Sequence, residues 1–214
     1  MRIGGGPKGR AHVDEAGFIE IVQSNAANRE ILARLPSLGL SDAWLVSGAL
    51  FQTAWNSLTN RPFDYGIRDY DIFYFDSDTS YEAEDNAIAR ANAAFAGLNR
   101  TVEVRNQARV HLWYDEKFGM PYPPLERATD GIDRFLMRNA QVGIRPHGGS
   151  YDVYAPRGFA DIEGMIVRPN LTQNFRADRY YEKAARWKAL WPEITILKAS
   201  AVDDMFFGGL EQSL

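Results

Sequence analysis

The chain has 214 residues, 45% of them hydrophobic, and a formal net charge of −4. That length carries the core of one compact domain, and the acidic balance argues against a protein that grips nucleic acid through its overall field. The absence of cysteine excludes disulfide frameworks, thiolate zinc sites and cysteine nucleophiles; with no apolar run near the roughly 20 residues a bilayer requires, the expectation is a cytoplasmic protein without a membrane partner.

Residues 1–13, which include Gly4-Gly5-Gly6-Pro7, read as a mobile leader, because a phosphate loop would need a preceding strand and a Lys-Ser/Thr ending. Residues 14–214 read as a single domain. Asp14 suits the N-cap of a helix over 15–35, whose apolar stripe holds Phe18, Ile21, Val22, Ile31 and Leu35 and which Pro36 and Gly39 stop. Trp44-Leu45-Val46 is a short apolar strand running into Ser47-Gly48-Ala49, and 49–58 is helical with Leu50, Ala54 and Leu58 on one face. A strand that turns at Gly48 straight into a helix leaves backbone N–H groups unpaired, a ready cradle for phosphate.

After turn-prone residues 60–66, Asp69-Tyr70-Asp71-Ile72-Phe73-Tyr74-Phe75 has the aromatic and β-branched content of a strand. Alternation puts Asp69 and Asp71 on one face and Ile72 and Tyr74 on the other. Two carboxylates so placed repel each other unless a cation lies between them, and oxygen ligands on a rigid strand suit Mg²⁺. A helix over 81–98 and a strand over 101–104 follow, a crossover that sets Glu103 beside Asp71.

Further on, a helix is expected over 107–118, then Pro121, Pro123 and Pro124, then a helix over 125–139 striped by Ala128, Ile132, Phe135 and Leu136. Strands are expected at 142–145, 151–154 and 165–167, and a long last helix over 174–190. Arg61, Arg68, Arg105 and Arg109 fall near the acidic strand elements, so the pocket is expected to be basic inside an acidic whole. Arg105 and Arg109, one helical turn apart, have surface pairing with Glu82, Glu84 or Asp85 as the plainer reading. His111 reads as a hydrogen-bonded structural histidine, and the three histidines show no zinc spacing. Asp161 fits a structural turn as well as an acceptor site, while Trp55, Trp113, Trp187 and Trp191 read as core.

A phosphate cradle followed by an Asp-x-Asp strand resembles the polymerase β-like nucleotidyltransferase superfamily. The resemblance implies an α+β fold with a small mixed sheet flanked by helices, additional C-terminal strands and a long C-terminal helix. It implies that Ser47, Gly48 and Ala49, with Arg68, bind the triphosphate of an NTP donor. Asp69, Asp71 and Glu103 would hold two Mg²⁺ ions, with Mn²⁺ as the alternative, and Glu103 would help deprotonate the hydroxyl of an unidentified acceptor as pyrophosphate leaves. Stretches 104–114 and 153–161 are similar to those of a bacterial family of uncharacterised nucleotidyltransferases, over about residues 44–170. Two departures stand out: Ala49 occupies a position where the superfamily has Ser or Gly, and the long Gly48-to-Asp69 spacing implies a longer helix or an inserted loop at 59–68. The competing reading is a non-catalytic, antitoxin-like or scaffold protein that keeps the fold. Ala49 leans that way and three retained acids lean toward the enzyme; phosphoester hydrolysis at the same metal site is a third reading.

Overall fold

The structure, a computed structural model, describes residues 13–199. The leader expected at 1–13 therefore lies outside the described residues except for Val13. Its chain order is α1 (Glu15–Ser24), α2 (Ala26–Arg34), β1 (Trp44–Val46), α3 (Gly48–Leu58), β2 (Asp69–Tyr74), α4 (Tyr81–Phe95), β3 (Thr101–Asn106), α5 (Val110–Phe118) and α6 (Ala128–Ile132). Then come β4 (Gly143–His147), β5 (Ser150–Tyr154), α7 (Ala160–Glu163), β6 (Ile166–Val167), α8 (Ala177–Leu190) and β7 (Thr195–Ile196).

Five strands form one mixed sheet in the order β3-β2-β1-β4-β5. Within this sheet, among the described residues, β2 and β3 are the parallel pair, as expected of strands joined through a helix; β1 is antiparallel to both of its neighbours. Alternation divides β2: Tyr70, Ile72 and Tyr74 are buried, while Asp69, Asp71 and Phe73 face the other way. The buried face packs with Leu45, Val104 and Ile144 onto Phe18 and Val22 of α1, Ile31 of α2, Leu50 and Phe51 of α3, and Ala87 and Ala91 of α4. On the opposite face Trp44 and Val46 lie under Ala128 and Ile132 of α6, and Phe73 stacks on Phe135 with ring centroids 5.3 Å apart.

Helix α8 closes the body through aromatic packing. Trp187 meets Phe51 edge-on at 4.9 Å and Trp55 at 5.8 Å, and Trp55 meets Trp191 at 5.5 Å. Two of these buried indoles find polar partners, Trp55 Nε1 donating to the Ile162 carbonyl at 3.1 Å and Trp191 Nε1 to Asn56 Oδ1 at 2.8 Å, while Trp187 Nε1 has none among the described residues.

Two helices expected as continuous are interrupted, and the reasons are side-chain amides. The 15–35 helix breaks at Asn25, whose backbone is extended and whose Oδ1 caps α2 by accepting from the Ala27 and Asn28 N–H groups. Its Nδ2 meanwhile donates to Thr53 and to the Phe63 carbonyl. The 125–139 helix shrinks to α6 because carbonyls beyond it are taken elsewhere: Asp133 O accepts from Gln141 and Asn170, Phe135 O from Asn170 Nδ2 and Leu136 O from Asn170 N. The long Gly48-to-Asp69 spacing is a loop, held by Asn56 Nδ2 donating to the carbonyls of Phe63 and Tyr65. Strand β7, absent from the sequence reading, pairs in parallel with β6.

Candidate active site

The acidic face forms where β1, β2 and β3 lie side by side. Register sets Asp71 opposite Val46 of β1 and opposite Glu103 of β3, so the turn that ends β1 rises beside the Asp69 end of β2. In that turn Ser47, not Gly48, carries the left-handed backbone (φ 55°, ψ −114°). A non-glycine residue there is strained, and such strain concentrates at functional turns. The Ser47 hydroxyl makes no capping bond to α3, while the Ser47 carbonyl accepts from the Leu50 and Phe51 N–H groups. A β-carbon at Gly48 would come within 3.0 Å of Gln52 Nε2. Ala49 is fully buried, and its carbonyl takes Thr53 Oγ1 at 2.7 Å and Asn28 Nδ2 at 3.0 Å. Arg68 is exposed immediately before β2.

Asp71 is half-buried at the centre of this face. Loss of hydration, then the charge of Asp69, then that of Glu103 push its carboxyl up to about 7. A cation held there would remove the repulsion, and three oxygen donors suit Mg²⁺ chemistry. Glu103 Oε2 accepts from the Arg105 guanidinium at 2.9 Å, two residues along the same strand face. Among the described residues no group of three acidic or histidine side chains is placed closely enough to hold an ion. The register thus sets the acids expected from the sequence on neighbouring strands, with Glu103 engaged by Arg105.

Further along the same face, past Phe73 and Arg105, opens a cavity of about 550 Å³ walled by α5, α8 and the segment after α6. Among the described residues its lining carries six cationic side chains, Arg105, Lys117, Arg134, Arg176, Arg179 and Lys183, and no acidic one. Lys183, exposed over much of its surface, reaches the field of the acids: loss of hydration and the nearby Arg186 lower its pKa, while Asp71 and Asp69 pull it up. The aromatic wall is a chain of contacts, Trp113 to Tyr114 at 5.9 Å, Tyr114 to Phe118 at 4.7 Å and Tyr114 to Tyr122 at 4.4 Å.

Other candidates sort differently. Arg109 is 3% exposed, donates to the Thr79 carbonyl at 2.7 Å and stands 2.8 Å from Glu84, so it buttresses β3 against α4. Because Arg105 is on a strand, the two arginines share no helical face. Arg61 pairs with Glu193 away from the acids, and Asp161 makes a two-pronged pair with Arg168. His111 lies in α5 with Nδ1 buried and, among the described residues, without a hydrogen-bond partner, contrary to the bonded histidine expected. Trp55, Trp187 and Trp191 are core, but Trp113 is not. Helix α5 buries only Val110, and a short helix with aromatics at 113, 114 and 118 and no buried stripe is the signal that could have marked this wall.

The profile of a family described as Nucleotidyltransferase matches residues 33–196. The chain belongs to that nucleotidyltransferase family. The match spans both acidic strands, the Ser47 turn and the aromatic cavity. A solved structure titled "The NMR structure of the protein reveals a CCA-adding enzyme head domain" is 24% identical, covering 87% of this chain and 97% of that one with a TM-score of 0.71. That likeness agrees with the mixed sheet flanked by helices. No curated protein matches the chain. No helix among the described residues of this nucleotidyltransferase is long and apolar enough to cross a membrane.

Proposed function

We propose that this nucleotidyltransferase moves a nucleoside monophosphate from an NTP to an acceptor hydroxyl in a Mg²⁺-dependent reaction, with residues 14–214 acting as one domain. The observation that carries the reading is the placement of Asp71 between Asp69 and Glu103, directly beside the strained turn at the start of α3. Gly48 and Ala49 offer the first N–H groups of α3 to the terminal phosphates, Ser47 offers a hydroxyl that caps no helix N–H, and Arg68 stands at the same end of β2.

Asp69, Asp71 and Glu103 are the residues that would hold divalent metal, Mn²⁺ being an alternative to Mg²⁺. When bound, the metal would neutralise phosphate charge and acidify the attacking hydroxyl. The chain's own part is positioning. The acceptor oxygen bonds to the α-phosphorus, the bridging bond from that phosphorus toward the β-phosphate breaks, and pyrophosphate departs on the side of the Ser47 turn. The hydroxyl proton passes to a carboxylate, Glu103 being suited to take it once it leaves Arg105. Pyrophosphate release by wild type and Asp71→Asn in Mg²⁺ tests the reading: the variant should lose turnover, and normal turnover by it would overturn the assignment in favour of a binding protein.

A further inference from the structure

The donor reading leaves the aromatic, cationic cavity unused. In-line displacement places the attacking oxygen opposite the leaving pyrophosphate. With the phosphate turn at the Asp69 end of β2, the attacker comes from the other direction along the strand, where Phe73 and Arg105 open into the cavity. We propose that this cavity is the acceptor site and that the acceptor is the 3′ end of a single-stranded nucleic acid. The inference rests on the donor reading above.

The chemistry of the walls selects the ligand. With no acid among the described lining residues, a cationic acceptor such as an amino sugar meets no carboxylate there, whereas a polyanion meets several cations. Lys117, Arg134 and Lys183 make no ion pair among the described residues, so their charge is open to phosphate. Aromatic surface beside those cations adds the second half of single-strand recognition, in which bases stack and the backbone follows a positive groove. Lys117 Nζ lies 5.4 Å from the Trp113 ring centroid, and the Arg134 guanidinium lies 5.6 Å from that of Tyr122.

Reach argues for a strand over a lone nucleotide. A second cavity of about 620 Å³ adjoins the first, sharing Arg105, Trp113 and Lys117 with it. Tyr81, 80% exposed, and Leu112, 55% exposed, stand along it, and Arg109 holds its guanidinium 4.3 Å from the Tyr81 ring. Of the two acids there, Glu84 is already paired with Arg109. The terminal nucleotide would occupy the first cavity with its hydroxyl toward Asp71, and the preceding one would lie across Trp113 toward Tyr81. The overall charge of −4 does not oppose this, because a groove with its own sign of charge focuses the local field.

The test uses the full chain, a fluorescein-labelled eight-nucleotide single-stranded RNA with a free 3′ hydroxyl, the four nucleoside monophosphates, and Trp113→Ala, Arg134→Glu and Asp71→Asn variants. Anisotropy reports RNA binding, and a Mg²⁺-dependent thermal shift reports NTP binding. Wild type should bind the RNA, more weakly as salt rises. Trp113→Ala should bind it roughly 5- to 150-fold less tightly, the loss of one stacked base, and Arg134→Glu should also lose affinity, while both keep the NTP shift. Asp71→Asn should do the reverse, which separates failure at the acceptor site from failure of the donor reading. Absence of RNA binding by wild type, binding of monophosphates alone, RNA affinity unchanged in both cavity variants, or loss of the NTP shift in Trp113→Ala would each overturn the proposal.

Discussion

Replacing Asp71 by asparagine should stabilise the metal-free protein at alkaline pH. The change keeps the shape of the side chain and removes the charge that Asp69 and Glu103 oppose. The Asp71 carboxyl rises from 3.8 to about 7 in the fold, and about 3 units at 1.36 kcal/mol each give about 4 kcal/mol. That figure is an upper bound, since Asp71 is only half-buried and the cleft is partly open to water. A carboxyl whose pKa is higher folded than unfolded contributes stability that is complete below the unfolded value and lost as the pH rises through the folded one. Wild type should therefore lose stability relative to Asp71→Asn between about pH 4 and pH 8, in chelator. For a chain of this size roughly 2–4 °C accompanies each kcal/mol, so the variant should melt up to roughly 8–16 °C higher at pH 8, with the gap closing toward pH 5. Thermal unfolding by circular dichroism across that range is the assay. A variant that melts at or below wild type at pH 8, or a gap independent of pH, would refute the crowding argument.

The turn, the buttress and the loop each give a further expectation. Ser47→Gly should remove the cost of a left-handed serine (φ 55°), about 1–3 kcal/mol, and raise the melting point, whereas Ser47→Ala should not; weaker NTP binding in both, by calorimetry, would assign the hydroxyl to the phosphates. Arg109→Ala leaves Glu84 without its partner in a largely buried pair and should cost about 3 kcal/mol in urea unfolding, with Arg109→Lys recovering only part. Gly66→Ala should cost about 1–3 kcal/mol, because a β-carbon there would lie 2.7 Å from the Trp191 ring at a φ of +73°; an unchanged melting point would contradict it.

What could be read in the sequence was local. Asp69 and Asp71 share a face because side chains on a strand alternate, and the crossover through α4 sufficed to bring Glu103 alongside Asp71. The interruption at Asn25 was hidden because the groups that hold it, Thr53, Phe63 and Tyr70, come from the segment around α3 and β2. The end of α6 was hidden for the same reason, as Asn170 takes its carbonyls from more than 30 residues away. Glu103 sits where the spacing put it, but its rotamer answers to Arg105, which no spacing reveals. The cavity was hardest of all: Phe73, Trp113, Arg134 and Lys183 meet only when four separate segments pack. Trp113 in particular looks like core by composition and becomes a wall because α5 has no stripe to bury.

The central claim is that the acidic face and the Ser47 turn bind an NTP with its metal. It is tested most directly by thermal unfolding of wild type and Asp71→Asn with each of ATP, CTP, GTP and UTP, with and without Mg²⁺, each variant against its own ligand-free baseline. A nucleotide at about 100 times its dissociation constant adds about 2.7 kcal/mol, roughly 5–11 °C here. At least one triphosphate should give such a shift, dependent on Mg²⁺ and absent in Asp71→Asn; no shift with any of the four, or a shift that the variant retains, would contradict NTP binding at this face.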